Sequence, residues 1–500
     1  MRVYYAYKWV TKQPTEPGES EVETVLDILL VNGIVITMAT ERLGEGILEN
    51  GAVGIQGNKI AVVGNSKDIC ARYQAHRTID VRGNVIMPGF VDGHMHSGLG
   101  LFRGMAQDTS QWLHTCIWPL REAMRPEESA KGSMLVLAEA LRNGTTTICD
   151  FDTNMDYLVE NHAKIGSRAC IAHNISALPP DVSGLPEGEL YPLDYARENQ
   201  FFAESLKLIQ HWQGACEGRI TCMLGPQAPE RVSKEMLVEI REAAQKYDLR
   251  VHMHVACGDR ETYQMEKRYH QRTIPFLQEL GMLNRRLLGI HLSVATDREL
   301  QLYAESGAGM VLCSGSEAII DGHIPPAYEF DRFSPMLALG SDQTPGGNSC
   351  NMFNEMKFTA ILNKCRFQDP TVFPCWKVLR MATIDGARAI GLGDQIGSLE
   401  HGKLADVIVI DTTRLNLNPI LFSPVRTIIP NLVYSANGSE VRIVIVNGKI
   451  VVEEGHLTLV DESNIRKEAN EAAKNVVARA AKKIQSLNSN VIQMMNQKLI

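Results

Sequence analysis

The run Gly89-Phe90-Val91-Asp92-Gly93-His94-Met95-His96 places two imidazoles at i and i+2, so on an extended strand both rings face the same side. Neutral imidazole is the commonest side-chain metal ligand, and such a pair in the last turn of a strand can grip one divalent ion. A bare His-x-His is short, and two histidines near a turn produce it without any metal. The surroundings favour the metal. An apolar strand, Pro-Gly before the pair, Asp-Gly within it and the glycine-rich loop SGLGLFRGM after it suit a site at the mouth of a barrel.

The elements that must position this pair are legible in the alternation of apolar runs. VLDILLVNGIVITM (25–38) and GAVGIQGNKIAVVG (51–64) are β-branched runs broken at Asn-Gly and Gly-Asn, which predicts hairpin turns and a small antiparallel sheet. The same texture returns in ADVIVIDTT (405–413) and VRIVIVNGKIVVEEG (441–455), so both ends of the chain are predicted to share one sheet domain. Between them, VIMPGFVDGHMH, TTTICDF, RACIAHN, ITCMLGP, RVHMHV, LLGIHL, GMVLCSG and MLALGSD alternate with segments of helical period. Eight such units in about 300 residues predict a distorted (β/α)8 TIM barrel, an α/β fold whose chemistry sits where the strands end. The segment 462–485 has good helix formers and an apolar stripe at Ile465, Ala469, Ala472, Val476, Ala480 and Ile484. The predicted organisation is a tail over 1–22, a β-sandwich from 23–87 and 395–458, a barrel over 88–394 and a C-terminal helix within 459–500.

Composition narrows the partners. With 50 Lys+Arg against 58 Asp+Glu the net charge is −8, and no basic stripe exists to meet a nucleic-acid backbone. No stretch approaches the ~18 uninterrupted apolar residues of a membrane span, and the opening MRVYYAYKWVTKQP lacks a secretory core, so no membrane partner and a cytoplasmic location are expected. The 11 cysteines show no regular spacing and predict reduced core residues rather than a disulfide framework. A small-molecule substrate is the expected partner, in a homo-oligomer of the kind large barrel enzymes form.

From DILLVNGIVITM through MPGFVDGHMHSGLGLFRGMAQD and MATIDGARAIGLGDQIGSLEHGKLADVIVID to VNGKIVV, the chain resembles the amidohydrolase superfamily. The resemblance is to the branch containing S-adenosylhomocysteine, guanine and cytosine deaminases and triazine hydrolases such as atrazine chlorohydrolase. It implies one metal on His94, His96, His254 and Asp342, with His291 beside the water that reacts. His252, two residues before His254 on the same strand face, is the competing ligand there. Three imidazoles and one carboxylate suit Zn2+, with Fe2+ as the alternative, and an open position makes such a site catalytic. Asp342 is expected also to accept the proton of the attacking water. Relatives with two metals bridge them through a lysine after strand 4; ITCMLGPQAP has none, so one metal is expected. The unrelated zinc-deaminase design with His-x-Glu is absent, since none of the 14 histidines is followed two places on by Glu.

Four positions depart from that branch. Cys257 stands where His-x-x-Glu would place its acid, Gln227 replaces the histidine of Gly-Pro-His-x-Pro, Arg121 aligns with an acidic residue for ribose hydroxyls, and Cys313 replaces a histidine after strand 7. All four are assigned to the substrate pocket. Cys257 has no basic neighbour in sequence to lower its thiol pKa, so it is expected to be a spacer. Deaminating an aminopurine requires protonating a weakly basic ring nitrogen, whereas an amide, urea, carbamate or N-alkyl group demands less. Mononuclear hydrolysis of a non-peptide C–N bond in such a group is therefore the leading expectation. Hydrolytic deamination or dechlorination of an aminated triazine, pyrimidine or purine is the alternative. A non-catalytic scaffold is disfavoured because His94, His96, His254, His291 and Asp342 are all present.

Overall fold

The computed structural model describes residues 25–109, 111–179 and 188–500; the expected tail over 1–22 lies outside them. Eight parallel strands follow one another in chain order: β1 (Phe90–Met95), β2 (Thr145–Asp152), β3 (Arg168–Ile175), β4 (Ile220–Pro226), β5 (Arg250–Val255), β6 (Leu287–His291), β7 (Gly309–Leu312) and β8 (Leu337–Leu339). Each coincides to within a residue with a run that the sequence predicts, or lies inside it. β2 and β3 are buried along their whole length, because helices cover their outer face and the barrel interior their inner one.

Two of the intervening helices show how they start on capping side chains. Ser233 accepts the Met236 amide before Lys234–Lys246, and Thr296 and Glu299 form a reciprocal capping box at Asp297–Glu305. Leu237, Ile240, Leu300 and Tyr303 on these helices are fully buried and share a core with Val251, Met253 and Val255 of β5. The alternate residues of β5, His252 and His254, therefore face the barrel axis.

The barrel closes where β1 meets β8. The Asp342 amide donates to the His94 carbonyl at 2.8 Å and the His96 amide to the Asp342 carbonyl at 3.1 Å. β8 has only three residues, so this backbone exchange supplies much of the seam.

The terminal segments combine in one nine-stranded sheet, in which Val407–Ile410 runs antiparallel to Val85–Pro88. It is mixed rather than antiparallel throughout, since Leu26–Ile36 lies parallel to both Ala75–Asp80 and Val85–Pro88. The expected turn at Asn32-Gly33 is instead a bulge within the single strand Leu26–Ile36, with Asn32 at φ 59°. A Cβ on Gly33 would lie 2.6 Å from Ile86, so this glycine serves close packing rather than chain reversal. Gly57-Asn58 and Asn447-Gly448 do form the predicted hairpin turns. Sheet and barrel are joined by a buried two-bond ion pair from Arg168 on β3 to Asp406, at 2.6 and 2.9 Å.

The predicted C-terminal helix spans Glu462–Leu487, and its apolar stripe packs on Leu99, Leu101, Phe102 and Leu120. No helix among the described residues is long and apolar enough to cross a membrane.

Candidate active site

The strand ends bring His94, His96, His254, His291 and Asp342 together. Ring nitrogens of His94, His254 and His291 lie within 4.8 Å of one another, as do the donor atoms of His94, His96 and Asp342. Asp342 Oδ1 is 3.5 Å from His94 Nε2 and 3.6 Å from His96 Nε2. The far side of each ring is already engaged. His96 Nδ1 donates to the Phe151 carbonyl at 2.6 Å and His254 Nδ1 to the Gln227 carbonyl at 2.8 Å. A carbonyl only accepts, so both rings carry their proton on Nδ1 and turn an Nε2 lone pair to the centre. His94 Nδ1 meets His252 Nε2 at 2.8 Å, while His94 Nε2 is buried with no hydrogen-bond partner among the described residues.

This donor set fits a divalent metal. An orphaned buried imidazole nitrogen, two further Nε2 atoms fixed by backbone carbonyls and a converging carboxylate are what Zn2+ or Fe2+ requires. Burial, followed by the neighbouring rings, holds His94 and His254 well below the ordinary histidine range, which keeps them neutral and able to ligate. His252 lies one layer deeper on β5, pushed down to about 3 chiefly by burial, and braces His94.

His291 stands apart. Burial disfavours its charged form, but the Glu317 carboxylate 2.7 Å from its Nδ1 raises it to about 9. Glu317 is held in turn by the Ser293 hydroxyl, and Asp342 by the Ser316 hydroxyl. Both His291 and Asp342 take left-handed backbone conformations, at φ 78° and 57°, which non-glycine residues keep mainly where a site demands them.

Above the cluster opens a cavity of about 1050 Å³, roomy enough for a nucleoside-sized molecule. Gln227, Cys257 and Arg121 line it, as expected. Arg121 donates to Thr153 Oγ1 at 3.2 Å and lies 3.7 Å from Asp152. The Cys257 thiol is raised well above its usual range, by burial first and then by the Glu261 charge, so it holds its proton. Glu261 accepts both the Ala256 and Cys257 amides at 2.8 Å and the Thr273 hydroxyl, which ties down the loop after β5. Cys313, expected in the pocket, is instead fully buried among Val91, Val311 and Ala338 inside the barrel. Sequence reasoning missed Glu317 and the bracing role of His252. The signals are weak: a glutamate four residues past Cys313, and a second histidine one strand repeat before His254.

Residues 85–451 match the amidohydrolase family. The chain is 32% identical to a 5'-deoxyadenosine deaminase of Methanosarcina barkeri, over 91% of this chain and 99% of the relative. It is 31% identical to a 5-methylthioadenosine/S-adenosylhomocysteine deaminase of Pelotomaculum thermopropionicum, over 91% and 99%. Among solved structures, a zinc-bound adenosine deaminase from Xanthomonas campestris superposes with a TM-score of 0.82 at 29% identity, covering 91% of this chain and all of the other. A zinc-bound atrazine chlorohydrolase from Arthrobacter aurescens shares the fold at a TM-score of 0.78 and 22% identity, covering 89% of this chain and 100% of that one. With the ligand cluster at the barrel mouth, the chain belongs to the amidohydrolase family and is a metal-dependent hydrolase of C–N bonds other than peptide bonds.

Proposed function

We propose that this enzyme holds one metal, Zn2+ in the first instance, and deaminates an aminated heterocycle of the purine or triazine class. The observation that carries this reading is the convergence of His94, His96, His254 and Asp342 beneath the large cavity. The substrate class is supported by full-length relatives that are deaminases of adenosine-type compounds. The terminal sheet, 23–87 with 395–458, serves as scaffold, and the barrel over 88–394 carries the chemistry.

A divalent metal here supplies Lewis acidity and brings the pKa of water toward about 7. The chain's own groups do the rest. The Asp342 carboxylate accepts a proton from the attacking water and passes it to the substrate nitrogen. His291, kept protonated by Glu317, offers its Nε2 hydrogen to oxygen as charge develops there. A C–O bond forms, the C–N bond breaks with its electron pair going to nitrogen, and ammonia leaves. Arg121 and Gln227 contact the remainder of the substrate. Cys257, a neutral thiol where a carboxylate is usual, favours a second reading in which an amide, urea or carbamate is cleaved.

Metal analysis of the purified protein tests the first part, with one equivalent per chain expected and two overturning it. Chelation should abolish turnover and re-addition of Zn2+ restore it. Ammonia release is then measured on 5'-deoxyadenosine, 5'-methylthioadenosine and aminotriazines beside ureas, anilides and carbamates. Ammonia from the heterocycles supports the deaminase; amine release confined to the ureas, anilides or carbamates replaces it with the second reading.

A further inference from the structure

Among the cavity carboxylates that have no part in the steps above, Glu230 is distinguished by an unpaired buried oxygen. Glu230 belongs to the turn Pro229–Arg231 just past β4 and lines the cavity with His96, His254 and Cys257. Only 3% of it is exposed. Its Oε1 accepts from Arg231 Nε at 2.8 Å, while Oε2 is buried with no partner among the described residues. Native structures rarely leave such an atom unpaired, and because Glu230 is a wall residue of the cavity, a donor that the cavity receives would complete it. Tyr191, 6% exposed and lining the same space, likewise has a buried hydroxyl without a hydrogen-bond partner among the described residues.

The turn is well fixed. The Arg231 amide donates to the Ala228 carbonyl at 3.0 Å, and the Arg231 carbonyl accepts from the Ala177 amide at 2.8 Å. Three residues before Glu230, the Gln227 carbonyl orients His254. One short stretch of backbone therefore sets both a metal-facing imidazole and this carboxylate. Glu230 also lines the same cavity as Cys257, the place that lacks an acid, and as Glu261. Two other buried carboxylates lining the cavity are committed to the protein. Glu261 holds two amides and the Thr273 hydroxyl, and Glu317 holds His291 and Ser293.

We propose that Glu230 is a catalytic residue that binds the nitrogen edge of the substrate through Oε2. An amino group on an sp2 carbon next to a ring nitrogen presents N–H donors to this oxygen, and more so once the departing nitrogen is protonated. Arg231 Nε occupies Oε1, which leaves Oε2 as the acceptor for the substrate. Glu230 stabilises positive charge on the nitrogen while Asp342 carries the proton and ammonia departs with the electron pair. The role rests on the deaminase reading and narrows it to amidine-like substrates without an anionic group near the reacting carbon.

The test uses zinc-loaded wild type and Glu230→Gln, with 5'-deoxyadenosine as substrate and purine riboside, which lacks the 6-amino group, as binding probe. Glu230→Gln should lower kcat/KM by about a hundredfold or more at unchanged metal content and melting temperature. Purine riboside affinity should change by less than about threefold, because the missing amino group is what Glu230 contacts. Adding Cys257→Glu should restore about tenfold or more of the lost rate by returning a carboxylate to the adjacent wall. If Glu230→Gln does not fold, Glu230→Asp, which keeps the charge but withdraws the oxygen, should show the same selective loss. Activity within about fivefold of wild type, or equal losses for substrate and probe, overturns the role of Glu230. A wild type inert toward every aminoheterocycle overturns the deaminase reading and, with it, this assignment.

Discussion

On the wall built from β1, β5, β6 and β8, strands and their ends place the cluster: His94, His254 and His291 lie on β1, β5 and β6, His96 is the residue after β1, and Asp342 comes three residues after β8. On the wall built from the segments after β4, β5 and β7, turns and helix starts place Gln227, Glu230, Cys257, Glu261 and Glu317. The first wall keeps the full set of groups that the family resemblance implies. The second has exchanged them: the position three residues past His254 is a thiol, and a carboxylate stands on a different turn instead. A strand end has one possible side-chain direction, whereas several turns reach the same volume, so the strand wall leaves less freedom in which residues line it than the turn wall does.

The largest test of this contrast is on the strand wall. Asp342→Asn keeps the shape but cannot accept a proton, and turnover should fall by about 10²–10⁴-fold with folding intact. A variant keeping half of the wild-type rate would move the proton transfer elsewhere, with His291 the next candidate. One layer down, His252→Ala removes the brace on His94 and should weaken metal affinity by about 10–100-fold, read by competition with a chelator. An unchanged affinity would show that strand geometry alone orients His94. On the turn wall, Cys257→Ala exchanges one spacer for another, so kcat/KM should change by less than about tenfold. A thousandfold loss would give the thiol a part in the chemistry.

The smallest effect concerns stability behind the site. Glu355 is buried, accepts the Gly315 amide at 3.0 Å and is raised from 4.5 to about 8, chiefly by burial. Its protonated form belongs to the folded state, so the stability it contributes is complete below the unfolded value and is lost as pH rises through the folded one. Glu355→Gln should therefore gain melting temperature relative to wild type between about pH 5 and pH 9. A difference independent of pH would contradict this.

The same contrast explains what the sequence disclosed. All eight barrel strands were legible because apolar runs between helical segments have no other use at that spacing, and even three-residue β8 fell inside its predicted run. His94 and His96 were legible because their spacing is the strand's own period. Choosing between His252 and His254 was not, since both face the axis and depth within a barrel leaves no mark on a period of two. Glu230 and Glu317 reach the site from segments whose path depends on packing, and Cys313 was misplaced for the same reason. Asn32-Gly33 misled because a bulge and a turn use the same residues, and only the contact with Ile86 distinguishes them.

The seam between β1 and β8 gives the metal position a mechanical meaning. His94 and His96 belong to the first stave of the barrel and Asp342 to the last, and their backbone exchange is what brings the circle round. An ion shared among these side chains would act as a hoop fastener across a joint whose final stave is three residues long. Because only the closed barrel presents that ligand set, binding adds about 2.7 kcal/mol of stability at a hundredfold excess over the dissociation constant. Loss of the ion would then loosen the joint as well as silence the chemistry, so an enzyme starved of metal should be recognised by heat and proteases as well as by its substrate.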